Sequence, residues 1–374
     1  MYDLIIAGAG PAGSAAAREA ASMGLDTLIL EKDAFPRYKP CGGALSDRAR
    51  SLLDFCLPEG LCERTITGAR VHFRDKVMEI RKGYRLTTLV TRSSFDHLLL
   101  QKAEEAGAKV ATQKVLDYQE ADDRVRVLTK DGSYQSRFLV ISSGCQDGLK
   151  DRIQGHKARA QLGVCMVTEI EEDDQKIEEG LQSCLDIYFG VADMGYGWIF
   201  PHRGYYSVGI GGLASRLKNP RKTMQDFLRT SGFFGTYRLH GHTIPFGDGM
   251  NKVSRGRVLL TGDSAGFVDA FTGEGIYYAL RSGQLAAQVI ANEPAKEAAR
   301  AYQHSCRRDF GEELRYAWMF SRLMHSRPEV FLRVLTCRNE VLDRYIEIAA
   351  AKNSYKDFLR WLVPRLPWSI LRTI

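Results

Sequence analysis

A short apolar run, Tyr2 to Ala7, opens into Gly8-Ala9-Gly10-Pro11-Ala12-Gly13 and then into an alanine-rich stretch; this order of strand, glycine turn and helix constrains the fold more than any other feature. Gly8 lets the chain turn sharply out of a strand, Gly10 lets backbone N–H groups approach a pyrophosphate, and Gly13 lets the helix lie close on the sheet. The helix N-terminus then faces the anion. A second apolar run, Thr27 to Leu30, ends on Glu31 and Lys32. That lies about twenty residues past the turn, where a carboxylate accepts hydrogen bonds from ribose hydroxyls. Gly8, Gly10, Ala12, Gly13, Glu31 and Lys32 are therefore candidate dinucleotide-binding residues. By itself this fingerprint leaves NAD and FAD both open.

With 374 residues and 44% hydrophobic content the chain can bury a large core in two domains or one enlarged domain. Its eight cysteines are scattered without a C-x-x-C pair or a zinc-like cluster, which reads as reduced, mostly buried thiols. His240 and His242 share one strand face, but no Cys, Asp or Glu nearby completes a metal set, so no metal is expected. The first strand starts at Tyr2, and no apolar stretch reaches bilayer length, so the expected location is cytoplasmic. The net charge of +7 is modest. Its placement is more telling: in 352–374, Lys352, Lys356, Arg360, Arg365 and Arg372 alternate with Phe358, Leu359, Trp361, Leu362, Leu366, Trp368 and Ile370. Two readings stand side by side, a peripheral contact with an anionic membrane on its inner face and a terminal helix packed on the body with a solvated basic side. No nucleic-acid-binding module accompanies the charge.

The fold class expected is α/β. A Rossmann-like domain (1–65, 92–155 and 250–292) is interleaved with a β-rich substrate domain (66–91 and 156–249), and a helical C-terminal region (293–374) follows. Along the chain the patterns predict a helix from about Ser46 to Phe55 and a helix capped by Ser93 or Ser94 running through Ala106. Strands are expected near Lys114 to Tyr118, Arg124 to Thr129 and Arg137 to Ser142. In the β-rich stretch they fall at Leu185 to Phe189, Gly197 to Phe200 and Tyr206 to Ile210, with a helix at Pro220 to Thr230. Gly209-Ile210-Gly211-Gly212 lacks the spacing of a second nucleotide fingerprint. A monomer is expected.

A second diagnostic segment runs from Gly262-Asp263-Ser264-Ala265-Gly266 to Phe271-Thr272-Gly273-Glu274-Gly275-Ile276. It combines a strand end, an acid, a glycine-rich turn and a helix start, which offers a carboxylate to a polyol and N–H groups to an anionic ring edge. It resembles the second flavin motif of the FAD-dependent hydroxylase and reductase superfamily, and it selects FAD. Lys39-Pro40-Cys41-Gly42-Gly43 and Tyr196-Gly197-Trp198-Ile199-Phe200-Pro201 are similar to signature segments of the geranylgeranyl reductase family, over roughly residues 1–290. The resemblance implies that Gly262, Asp263, Gly273, Gly275 and Ile276 hold the flavin half of FAD. It also implies that Arg92 and Arg37 contact the pyrophosphate, and that Cys41 and Gly42 lie near the ring. Tyr196, Trp198, Phe200 and Pro201 would line an elongated apolar substrate cavity.

The family reduces isolated C=C bonds of polyprenyl lipids or other isoprenoids. Catalytic roles would then fall to Cys41, Tyr196 and Trp198, with the hydride coming from reduced flavin and the proton from Cys41, a tyrosine or an ordered water. Electrons would come from NAD(P)H or from a partner such as reduced ferredoxin. Three positions depart from the family pattern: Ala270 replaces a proline, which implies a looser loop, His202 replaces a lysine after Phe-Pro, and Asp147-Gly148 is shifted. The alternatives are an FAD monooxygenase of an aromatic or polyketide substrate and a non-catalytic flavin or isoprenoid carrier. A halogenase is weaker, because the paired-tryptophan motif is missing.

Overall fold

The computed structural model describes residues 1–146, 148–155, 162–326, 329–331, 334, 339–350 and 352–365. Asp147, Cys337 and the tail beyond Arg365 therefore lie outside the described residues. The chain forms two compact units: Met1–Lys39, Ser93–Ala160 and Pro245–Arg315 make the first, and Pro40–Arg92, Gln161–Ile244 and Tyr316–Ile374 the second. This division differs from the expected boundaries. Residues 40–65 go with the β-rich unit because Ala44–Ser46 and Arg64–Ile66 both pair with Thr87–Leu89 in a three-stranded sheet. The C-terminal helices form no third unit.

The first unit is built on a parallel core in the order Val258–Leu260, Gly132–Ile141, Tyr2–Ala7, Thr27–Glu31, Lys109–Thr112. All five residues of Thr27–Glu31 are buried, as a strand covered on both faces requires. Val115–Glu120 and Val125–Thr129 extend the sheet as an antiparallel meander on Gly132–Ile141. The helix Pro11–Ser22 packs on Ile276–Asn292 through its small residues. At their crossing a Cβ on Gly283 would stand 2.2 Å from Ala12 O, so the two backbones approach as no side chain permits.

The second unit carries a seven-stranded sheet in the order His240–Pro245, Leu162–Glu171, Tyr205–Leu213, Gly195–Pro201, Cys184–Phe189, Gly68–Phe73, Lys76–Arg81. From Leu162–Glu171 to Lys76–Arg81 successive strands pair antiparallel, except that Cys184–Phe189 runs parallel to Gly68–Phe73. One face is covered by the helix Pro220–Thr230, which buries Met224, Phe227 and Leu228 against Ile199, Val208 and Ile210. The helix Asn339–Ala349 is tied to the sheet edge by Lys82, whose Nζ lies 2.5 Å from Asp343 and 3.1 Å from Glu347.

Two helix expectations fail locally. The helix predicted over Ser46 to Phe55 is a single turn, Asp47–Arg50, capped by the Ser46 hydroxyl accepting from Ala49 N at 3.2 Å. Leu52, Leu53, Phe55 and Leu57 are only half-buried, so little core packing rewards a longer helix, and Pro58 follows. The helix Arg92–Glu105 already contains Ser93 and Ser94, so neither is its cap. Among the described residues no helix is long and apolar enough to cross a membrane.

Candidate functional site

In the first unit the two glycine-rich motifs meet. A Cβ on Gly262 would stand 3.0 Å from the Ala12 Cβ, so segments far apart in sequence share one surface. Gly8 adopts φ 101°, and a Cβ on Gly13 would stand 1.9 Å from Gly8 O; the turn closes only with glycine at both positions. At Gly10 the same test meets nothing but the Arg37 guanidinium at 3.7 Å. That leaves an open, N–H-lined cradle with a cation at its lip. Arg37 is held there by Asp96, fully buried, at 3.3 Å and by the Phe35 ring beneath its guanidinium at 4.7 Å.

Glu31 closes the other side. Its Oε2 accepts from Ala9 N at 2.6 Å and its Oε1 from Asp33 N at 3.0 Å, and each oxygen keeps a lone pair for a hydroxyl donor. Lys32 is 60% exposed and reaches only Asp33, at 3.8 Å. The second motif is organised by side chains of its own. Gly262 N donates to the Ser282 hydroxyl at 3.0 Å, and Ser264 exchanges hydrogen bonds with both N–H and C=O of Gly144. The loop expected to be loose at Ala270 is held instead by Asp269, 2% exposed, whose Oδ1 accepts from Phe271 N and Thr272 N, each at 2.8 Å. Gly273 has φ 78°, and Gly275 leads into Ile276–Asn292. Burial, reinforced by the Asp263 charge, raises the Cys145 thiol above its ordinary range, so it stays protonated at neutral pH.

These features fit FAD: an open cradle at Gly10 beside a turn that only glycine closes, an arginine fixed at its edge, a buried carboxylate for ribose, and Asp263 beside a second glycine turn. Among the described residues no group of acidic, His or Cys side chains could hold a metal ion.

In the second unit the strand Gly195–Pro201 sets Tyr196, Trp198 and Phe200 on one face by alternation. Their rings follow one another at 6.2 and 6.3 Å. Phe189 continues the row across the strand pair at 6.3 Å from Tyr196, and Tyr345 follows at 6.4 Å. Neither Phe189 nor Tyr345 was singled out from sequence, because the first reads as an ordinary strand residue and the second as one helical apolar position among several. Pro201, expected in the same cavity, alternates to the opposite face with Ile199.

Trp198 is 8% exposed and fits because Gly209 stands opposite it; a Cβ there would lie 2.2 Å from the indole ring. Gly209 thus serves ring packing, whereas Gly212 makes room for the Asp193 carbonyl, 2.6 Å from where its Cβ would stand. The turn Cys41–Gly42 lies against this row, with a Cβ on Gly42 only 2.8 Å from the Phe200 ring and 3.3 Å from Trp198 Nε1. Among the described residues that indole N–H has no hydrogen-bond partner. Arg92, half-buried, opens the helix Arg92–Glu105.

Residues 3–140 match the family described as FAD dependent oxidoreductase. An uncharacterised protein of Methanosarcina barkeri is 31% identical over 293 residues, 78% of this chain and 75% of its own. Menaquinone reductase of Mycobacterium tuberculosis is 30% identical over 77% of this chain and 76% of its own. Geranylgeranyl diphosphate reductase of Rhodobacter capsulatus is 29% identical over 77% and 74%. Among solved structures, a geranylgeranyl bacteriochlorophyll reductase-like protein of Thermoplasma acidophilum superposes with TM-score 0.77 at 22% identity, covering 98% of this chain and 99% of that one. A flavin-dependent brominase shares the fold with TM-score 0.68 at 20% identity, over 98% and 99%.

Proposed function

This chain belongs to the geranylgeranyl reductase family of FAD-dependent oxidoreductases, and from that premise we propose that it saturates isolated C=C bonds of a polyprenyl chain. Bound FAD, once reduced, supplies the hydride. We assign the cofactor to the first unit, where Glu31 would accept from the ribose, the N–H groups of Gly10, Ala12 and Gly13 with Arg37 would meet the pyrophosphate, and Asp263 with the turn Gly273–Ile276 would take the ribityl and ring portions. The observation that carries the substrate reading is the continuous aromatic row Tyr345, Phe189, Tyr196, Trp198, Phe200. An isoprenoid offers nothing to hydrogen-bond along its length, and a row of rings gives it dispersion contact while excluding water. An unpolarised alkene gains mainly from being held in a reactive orientation, an effect of several kcal/mol, about 7 where alignment is complete. The second carbon needs a proton, for which the Cys41 thiol, a tyrosine of the row or an ordered water is the donor.

The head group is the open variable, since relatives bear names that refer to a diphosphate and a menaquinone. We assign electron supply to NAD(P)H or a reduced ferredoxin-like protein. A peripheral membrane contact remains part of the reading for the C-terminal segment. There the helix Tyr355–Leu362 buries Tyr355, Phe358 and Leu362, which leaves Lys356, Arg360, Arg365 and the Trp361 ring as the groups for an anionic surface. Trp361 lies between the Arg344 and Arg365 guanidiniums at 4.5 and 4.9 Å.

The test is to incubate dithionite-reduced holoprotein without oxygen with geranylgeranyl diphosphate, menaquinone and polyprenyl phospholipid. Mass spectrometry should show added hydrogen pairs in at least one of them; unchanged masses in all three defeat the reading.

A further inference from the structure

Successive carbonyls of the turn Cys41–Gly43 are each held within the second unit. The Ser207 hydroxyl donates to Cys41 O at 3.5 Å, His202 Nε2 lies 3.1 Å from Gly42 O, and Val90 N donates to Gly43 O at 2.9 Å. The Cys41 thiol itself accepts from Gly43 N at 3.4 Å. Only the His202 bond is backed by charge. Its Nδ1 lies 2.5 Å from Glu63 Oε2, too close for two lone pairs, so a proton sits between them. Gly42 O can only accept, so Nε2 carries another proton. The imidazole is 1% exposed and the Glu63 side chain 13%. Glu63 also accepts from the Thr91 hydroxyl and from the backbone of Arg203. The Tyr205 ring stacks on His202 at 4.6 Å, and Arg64 Nε donates to the His202 carbonyl at 3.1 Å. Glu63, Tyr205 and, through the main chain, Arg64 are thus the titratable or charged groups that these contacts set around it.

We infer that His202 and Glu63 act as a positioning pair: the doubly protonated imidazole clamps the Gly42 carbonyl and so fixes the Cys41 thiol and the glycine face packed on Trp198 and Phe200. The inference rests on the proposed reading for the importance of that turn, but the clamp has a readout independent of any substrate. In the FAD-loaded protein, iodoacetamide labelling of Cys41 is followed by peptide mass mapping. Kcat and KM are measured in parallel without oxygen on geranylgeranyl diphosphate. His202→Ala is expected to raise the Cys41 labelling rate about tenfold, as loss of one charge-assisted hydrogen bond implies. Kcat should fall while KM holds within about twofold. His202→Lys should return the label to the wild-type rate, because one ammonium can donate to both acceptors. Glu63→Gln, near-isosteric, should behave like His202→Ala and decides the matter if the alanine variant does not fold. Wild-type labelling in folded variants overturns the clamp, as does a label that stays high in His202→Lys. If the wild-type protein leaves the diphosphate unreduced while the label still responds, the substrate reading fails and the clamp stands.

Discussion

Gly13 shows how directly a single residue can be read from sequence. Its place in the fingerprint demanded a close approach, and the structure puts Gly8 O where its Cβ would be. Gly13→Ala is expected to cost about 1–3 kcal/mol from overpacking and to lower Tm by several degrees. The purified variant should also lose its yellow colour; thermal unfolding and flavin content measure both. The place of Glu31 beside that turn was legible from the fingerprint spacing, whereas Arg37 was named only through the family resemblance. Asp96 was not legible, because nothing in Arg92-Ser93-Ser94-Phe95-Asp96 says that the carboxylate will turn inward to hold Arg37. Its partner lies far away in sequence, and only tertiary folding sets their 3.3 Å separation. Asp96→Asn should leave Arg37 unanchored and weaken FAD retention by about tenfold or more, given the cost of breaking a buried ion pair. Fluorescence of released flavin on dilution measures it; unchanged retention would remove Arg37 from the cofactor site.

Among the elements, those with strong local chemistry were read at their true limits. The helix Pro220–Thr230 follows Asn219, whose side chain accepts from Lys222 N, and has proline at its first position. The predicted helix after Ser46 had the cap, but its apolar side chains past Arg50 are only half-buried, and it stopped after one turn. The strand Gly195–Pro201 was read from the sequence as Gly197 to Phe200, and its aromatic side was expected only through the family resemblance. What was not legible is that Gly209, one strand over, makes room for Trp198, because cross-strand register is fixed only when the sheet forms. Gly209→Val should expel the indole from its place while leaving the first unit intact. The expected result is a protein that keeps its flavin but loses most alkene reduction, checked by absorbance and product mass in one preparation.

Across the whole chain, its two compact units are interleaved rather than arranged in sequence, each drawing on three separate stretches of sequence. Global stability should carry the mark of Glu63. Burial pushes its carboxyl up, yet hydrogen bonds from His202 and Thr91 outweigh that and hold it below its ordinary value of 4.5. A depressed folded-state value means the contribution is complete above pH 4.5 and is lost as pH falls through the folded value, the unfolded chain taking up its proton first. The Tm gap between the wild-type protein and Glu63→Gln should therefore shrink on acidification below about pH 4.5. A gap that widens there would contradict the sign.

The central claim is that this flavoprotein adds hydrogen to isolated double bonds. Product mass after turnover of the reduced, FAD-loaded protein under strict exclusion of oxygen tests it most directly. The account predicts a polyprenyl product heavier by one hydrogen pair per double bond reduced. A substrate unchanged without oxygen, and gaining an oxygen atom once air is admitted, would contradict it.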